Sequence, residues 1–205
     1  MMMYVIGFIS QSLFSARTIS QWILSERAKK VTSPAIFWIL SLSASYLMFI
    51  YGWMRHDFSI LLGQLIAYYI YVWNLYEQGI WQRIYKALRV VILLTPFVAF
   101  AFVFNDYAGF VDTFLRNEKV PLALLLAGSA GQVIFTLRFV YQFVYSYRHK
   151  ESVLPIGFWV LSIVGSSIIV IYAIIRKDPV LILGQSFGFV AYIRNLMIAF
   201  KTVRQ

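Results

Sequence analysis

The chain contains no cysteine, which excludes a disulfide framework, a thiolate nucleophile and any Cys-based metal site. Its two histidines, His56 and His149, lie in different polar breaks and cannot form a metal cluster by themselves. Charge is scarce. Only 13% of the 205 residues are Asp, Glu, Lys or Arg, against roughly 25% in a soluble domain. No acidic residue falls in the middle of an apolar run; Glu77 ends one, and Asp57 and Asp178 occupy turns. A carboxylate proton relay therefore has no evident seat. No Ser/His/Asp set, paired carboxylates or phosphate-cradling glycine loop appears either. The expectation is a protein that is not an enzyme and uses no metal or cofactor.

What is abundant is apolar surface, with 61% hydrophobic and 19% aromatic residues. So small a chain cannot bury that excess, which points to lipid as its solvent. The net charge of +10 is not gathered into one basic stripe, so a nucleic-acid partner is not expected. Apolar runs of spanning length fall at 3–24, 36–54, 59–77, 88–104, 121–146, 156–175 and 179–200. They predict an all-α polytopic membrane protein with seven transmembrane helices, the fourth being the shortest and interrupted by Pro96. The first run lacks a basic n-region and carries Gln11, Arg17 and Gln21, so it reads as a retained helix rather than a signal peptide.

The loops after helices one, three and five, with the C-terminal tail, hold Arg27, Lys29, Lys30, Arg83, Lys86, Arg89, Arg148, Lys150, Lys201 and Arg204. The opposite loops hold Arg55, Arg116, Lys119, Arg176 and Lys177, offset by Asp57, Asp106, Asp112, Glu118 and Asp178. The positive-inside rule then places the N-terminus outside and the C-terminus in the cytoplasm.

Sliding the chain against itself by 121 residues aligns 7–75 with 128–196 without a gap, and 24 of these 69 positions are identical. Shared apolar bias would match Leu and Ile by chance. It would not match Gln11 with Gln132, Arg17 with Arg138, Gln21 with Gln142, Trp38 with Trp159, Gln64 with Gln185 and Asn74 with Asn195. The identities also include Gly7/Gly128, Tyr51/Tyr172, Arg55/Arg176, Asp57/Asp178 and Gly63/Gly184. This is a duplicated three-helix unit. Three helices reverse the chain's direction across a membrane, and one inserted helix restores it. The predicted architecture is therefore 3+1+3 with parallel repeats: a first repeat at 1–78, a linker with one helix at 79–119, and a second repeat at 120–205. Parallel-repeat transporters place their substrate sites between the repeats, near the midplane.

On the first helix Gln11, Phe14, Arg17, Thr18 and Gln21 share one face; on the third, Gln64, Tyr71 and Asn74 do. Each ladder spans about 15 Å along its axis, half of a roughly 30 Å hydrocarbon core. Polar rows of this kind face a bundle interior or a wet cavity. Three plainer readings stand beside a binding role. The amides could join helices, Arg17, Arg138 and Arg194 could snorkel to the head groups, and Gly63, Gly184, Gly188, Ser41 and Ser162 could serve close packing. Trp22, Trp38, Trp53, Trp81 and Trp159 read as anchors or packing rather than sugar platforms. Cationic, amide-rich positions suit an anion bearing hydroxyls, such as a phosphate joined to a sugar.

The second repeat reads GSAGQVIFTLRFVYQF, LPIGFWVLSIVGS, YAIIRKDPVLILGQ and YIRNL; the first reads GFISQSLFSARTISQW, PAIFWILSLSAS and LLGQ. These stretches closely resemble the small bacterial membrane family called the lipid-A-disaccharide synthase N-terminal domain. That name reflects a fusion to a glycosyltransferase whose soluble catalytic portion, several hundred residues long, is not among these 205, so the synthase activity is not expected here. The family's three-helix unit is in turn similar to PQ-loop and SWEET transporters. Their proline–glutamine signature is replaced here by Gly-x-x-x-Gln, which counts against simple sugar uniport. The resemblance implies envelope glycolipid work at the bacterial inner membrane, with membrane lipids and a polyprenyl-phosphate-linked sugar as partners. It makes Gln132, Arg138, Gln142, Gln185, Arg194 and Asn195 candidate lining residues, with Gln11, Arg17, Gln21, Gln64 and Asn74 as their repeat counterparts. Three functions stay open: a flippase-like transporter of undecaprenyl-phosphate sugar for lipid A or envelope glycan modification, a SWEET-like carrier of a free sugar or small solute, and a scaffold for a membrane glycosyltransferase.

Overall fold

A computed structural model of the protein describes residues 2–115 and 121–203. Arg116, Glu118, Lys119 and Arg204, counted in the charge balance above, lie outside them. The described residues form helices and no strand. In chain order these are α1 (Met2–Ala28), α2 (Ala35–Met54), α3 (Phe58–Glu77), α4 (Lys86–Asn105), α5 (Tyr107–Phe110), α6 (Leu122–His149), α7 (Ile156–Ile175) and α8 (Pro179–Val203). Each apolar run expected from sequence lies in a long helix. The eighth helix, α5, was hidden in the polar break after residue 104: Asp106 caps it by accepting from the Gly109 amide, and a π-turn over Val111–Leu115 follows.

Among the described residues, five helices are long and apolar enough to cross a membrane: α2, α3, α6, α7 and Pro179–Lys201 of α8. The expected seven spans thus exceed what length and composition support. In α1 the cause is visible, since Gln11, Arg17, Gln21, Glu26 and Arg27 dilute its apolar character. Large apolar side chains are nevertheless exposed on every long helix, among them Ile9, Ile39, Tyr69, Leu94, Phe97, Leu126, Val160, Ile171, Leu183 and Val190. A soluble protein of this size does not leave such an apolar belt uncovered.

The two copies fold alike down to their corners. Lys29, His56, Lys150 and Lys177 take positive φ, between 50° and 55°, at the ends of α1, α2, α6 and α7. Each is the left-handed residue that terminates a helix, a position glycine fills at lower cost. After His56 the Asp57 amide donates to the Gly52 carbonyl at 3.0 Å, and after Lys177 the Asp178 amide donates to Ala173 at 2.9 Å. Both aspartates then cap the next helix: Asp57 accepts from Ile60 N, and Asp178 from Val180 N and Leu181 N. Turn and cap are thus written together in Arg-x-Asp.

Within each copy α1 packs on α2 and α2 on α3, as α6 does on α7 and α7 on α8; between copies α3 meets α6 and α8 meets α1. Six helices therefore close into a ring with one copy's third helix against the other's first. One apolar cluster, around Trp38, Tyr71, Phe139, Phe158 and Trp159, fills the half near the α1–α2 and α6–α7 loops. A second, around Met48, Tyr51, Ile60, Tyr172 and Val180, fills the other half. The tryptophans Trp38 and Trp159 are wholly buried packing residues, 0% and 1% exposed.

Helix α4 lies outside the ring against α2 and α3. Pro96 lacks the amide that would bond the Ile92 carbonyl, and the Tyr68 hydroxyl donates to that carbonyl instead, at 2.9 Å. Tyr69 donates to Leu93 O, and the Tyr46 hydroxyl donates to Thr95 Oγ1.

Candidate functional site: a cationic cavity between the repeats

The repeat-matched polar residues converge on the seam where the two copies meet. They form three layers: a closed end near the α2–α3 and α7–α8 turns, a central cavity, and a second closed end near the α1–α2 and α6–α7 loops.

At the first end the copies clasp each other reciprocally. The Tyr51 hydroxyl of the first copy donates to both oxygens of Asp178 in the second, at 2.9 and 2.8 Å, and Arg55 Nε donates to Asp178 at 2.9 Å. The mirror arrangement joins Tyr172 Oη to Asp57 at 2.7 Å, with Arg176 at 3.6 Å from the same carboxylate. Both aspartates are buried. Burial pushes the Asp57 carboxyl above the usual carboxylate range, while the Tyr172 hydroxyl and Arg176 pull it back down. Glycine makes the clasp possible, because a Cβ at Gly7 would meet the Tyr51 ring at 2.8 Å and one at Gly128 the Tyr172 ring at 2.4 Å. These clasp residues were absent from the sequence-derived candidates, although all six are identical between repeats.

At the other end the amides pair across the seam. Gln142 Nε2 donates to Asn74 Oδ1 at 2.9 Å, and Asn74 Nδ2 returns a bond to Gln142 Oε1 at 3.1 Å. Gln21 Nε2 donates to Asn195 Oδ1 at 3.0 Å and to Ser25 at 2.8 Å. Ser152 adds a bond to Asn74, and Gln78 ties Ser152 to the Ser33 carbonyl. Gln21, Asn74, Gln142 and Asn195 thus join helices, which is the plainer of the two roles open to them.

Between the ends lies a cavity of about 50 Å³ lined by Gln11, Arg17, Gln64, Gln132, Arg138 and Gln185, with Phe14, Phe135, Tyr71 and Tyr192. The second half of Gly-x-x-x-Gln acts here. Gln11 is seated against Gly184 of the other copy, where a Cβ would come within 2.1 Å of its Oε1, and Gln132 against Gly63, at 2.7 Å. The glycines are therefore seats for glutamines rather than ligands. Gln185 accepts from Ser166 at 2.9 Å.

The two arginines are the chemistry of this cavity. Arg17 and Arg138 are 4% and 1% exposed, so neither snorkels to the surface. Arg17 donates from Nη1 to Ser41 at 2.8 Å, but its Nε has no partner. Arg138 has no partner on Nε or Nη1. Aromatic rings surround both: the Arg138 Cζ lies 3.3 Å from the Phe135 centroid and 4.6 Å from Phe139, and the Arg17 Cζ lies 4.5 Å from Phe14 and 5.0 Å from Phe37. Each such contact contributes about 0.5–2 kcal/mol, whereas an unpaired buried ion costs several. The ion pairs among the described residues leave both without a carboxylate.

Arg194 falls outside this arrangement. It is paired with Glu26 at the surface, with side chains 40% and 38% exposed. Its repeat counterpart is Trp73, so it lacks the symmetry that the lining residues share.

Comparison with known proteins accords with the duplication. A family model described as the lipid A biosynthesis N-terminal domain matches residues 6–76 and again 127–197. Similar proteins named lipid-A-disaccharide synthase occur in Chlamydia felis (30% identity, 98% of this chain), Chlamydia abortus (30%, 99%) and Chlamydia pneumoniae (28%, 99%). The chain spans about a third of their length, 34% in each case. No solved structure matches. The expectation from sequence that the protein is not an enzyme is corrected by these relatives, which are named for a synthase and of which this chain matches about a third. Helical, apolar and duplicated, with both copies matched by one family model, the chain belongs to the lipid A biosynthesis N-terminal domain family.

Proposed function

We propose that this protein moves a lipid-linked, phosphate-bearing sugar, best matched by an undecaprenyl-phosphate sugar, across the bacterial inner membrane for lipid A or envelope glycan modification. The observation that carries the reading is the pair of buried guanidinium groups, Arg17 and Arg138, facing one cavity without a carboxylate. They hold the phosphate, and Gln11, Gln64, Gln132 and Gln185 meet the sugar hydroxyls. A neutral free sugar gives two unpaired cations no counter-charge, so the SWEET-like carrier of free solutes is the weaker reading.

A cavity of about 50 Å³ has room for a water or two and not for a sugar. This conformer is then too narrow for the sugar, with the Tyr–Asp–Arg clasps closing one end of the seam and the Gln–Asn pairs the other. Transport parts one seal at a time as repeat 1–78 rocks against repeat 120–205 about the linker 79–119. In the membrane we place seven crossings, N-terminus outside and C-terminus in the cytoplasm, with the clasps on the outer side.

The relatives' names support a second reading, in which the domain seats a lipid A glycosyltransferase at the bilayer. An export complementation assay separates the two. Replacing both arginines (Arg17→Gln with Arg138→Gln) abolishes appearance of the modified lipid if they hold the phosphate, and full export by that double variant overturns the transport reading.

A further inference from the structure

The two repeats differ in one place that bears on how a lipid could sit in the cavity. In the second copy Ser166 donates to Gln185 at 2.9 Å, which ties α7 to α8 beside the cationic cavity. In the first copy the equivalent bond is missing. The Ser45 hydroxyl is 1% exposed and has no partner. A pocket of about 160 Å³ opens there between α2, α3 and α4, its wall formed by Tyr46, Phe49, Leu65, Pro96 and Ala99. Gln64 lines both this pocket and the cationic cavity, so the two are neighbours through a single side chain. Ile50, also on the wall, is 44% exposed, which brings the pocket to the lipid-facing surface. Helix α4, which has no counterpart in the second copy, supplies the outer wall.

A pocket with such walls is not a water site. An apolar cavity of about 150 Å³ stays dry and accepts a hydrocarbon guest. We propose that this pocket takes the hydrocarbon chain of a single-chain phosphate lipid whose phosphate lies between Arg17 and Arg138. The proposal rests on the phosphate-site reading above and adds the route and the lipid class. One pocket abuts the cavity on the α4 side, and the second copy has no α4 to wall a matching one while Ser166 ties α7 to Gln185 of α8, so one chain fits and a two-tailed phospholipid does not. The lipid enters sideways from the bilayer past α4, with Gln64, which no bond holds to Ser45, turning aside to admit it.

The test uses the full chain in phosphatidylcholine nanodiscs, titrated with decyl phosphate, inorganic phosphate and dioctanoyl phosphatidic acid. Each buried methylene adds roughly fourfold to affinity. Decyl phosphate should therefore bind at least about tenfold more tightly than inorganic phosphate and more tightly than the phosphatidic acid. Filling the pocket with Ala99→Phe or Leu65→Phe should remove that advantage and leave inorganic phosphate binding unchanged. Decyl phosphate with a terminal diazirine should label Tyr46–Ile50, Leu65 or Ala99 in the wild-type chain, an arm that needs no variant to fold. Arginine-dependent binding that ignores both pocket-filling variants and labels only the outer lipid-facing surface overturns the pocket and leaves the phosphate site standing. Equal affinity for phosphatidic acid overturns the single-chain restriction. Binding of decyl phosphate that persists when Arg17→Gln and Arg138→Gln are combined overturns the phosphate site itself.

Discussion

Arg138 is the residue on which the proposed anion site turns. A buried guanidinium with two unpartnered nitrogens weakens the fold unless something arrives to meet it. Desolvating an ion costs several kcal/mol that only a well-placed partner offsets, and an apolar residue of similar volume avoids that cost. Arg138→Met is therefore expected to raise the melting temperature of the purified protein while abolishing its function; a fall in melting temperature would show that the charge serves the fold. The same arithmetic makes the wild-type protein more stable in phosphate, through binding to the folded state alone, and removes that gain from the Arg138→Met variant. Much of this was legible in the sequence, because Gln11, Arg17 and Gln64 share faces with matched partners 121 residues on. Snorkelling was not decidable there. Arg17 lies seven residues before the end of the apolar run at residue 24, a distance that fits a surface or a buried head group equally, and only packing separates them.

Among the elements, the reciprocal clasps and the helix contacts carry the architecture. Asp178→Asn removes the carboxylate that holds Tyr51 and Arg55. Because Arg55 is part-exposed, the cost is expected at about 1–3 kcal/mol, read as a lower midpoint in chemical unfolding, with Asp57→Asn costing a similar amount. Gly165 marks a tighter contact. A Cβ there would come within 2.5 Å of the Phe135 backbone, and backbone cannot swing aside as a side chain does. Gly165→Val should cost about 1–3 kcal/mol from overpacking of α7 on α6 and show as reduced thermal stability. Helix positions were readable because apolar runs and Arg-x-Asp turns are local signals. The clasp was not readable, since Tyr51 and Asp178 meet across 127 residues and nothing local says which copy an Asp will face. Helix α5 escaped for the opposite reason: four residues are too few for a periodic pattern.

For the whole molecule, the duplication dictates the seam. Gln11, Phe14, Arg17, Gln64 and Tyr71 each have their repeat counterpart in the cavity wall, and Arg194, whose counterpart is Trp73, stands outside it. The absence of cysteine makes the orientation directly measurable by single-cysteine labelling. Lys177→Cys should react with a membrane-impermeant maleimide from the periplasmic side and Lys29→Cys should not; the reverse pattern would invert the assignment. The central claim is that two buried arginines hold the phosphate of a lipid. Mass spectrometry of lipids retained by the purified protein tests it most directly. The wild-type chain should carry a phosphate-bearing lipid that disappears when Arg17→Gln and Arg138→Gln are combined. Retention of the same lipid by that variant, or of no phosphate-bearing lipid by the wild type, would contradict it.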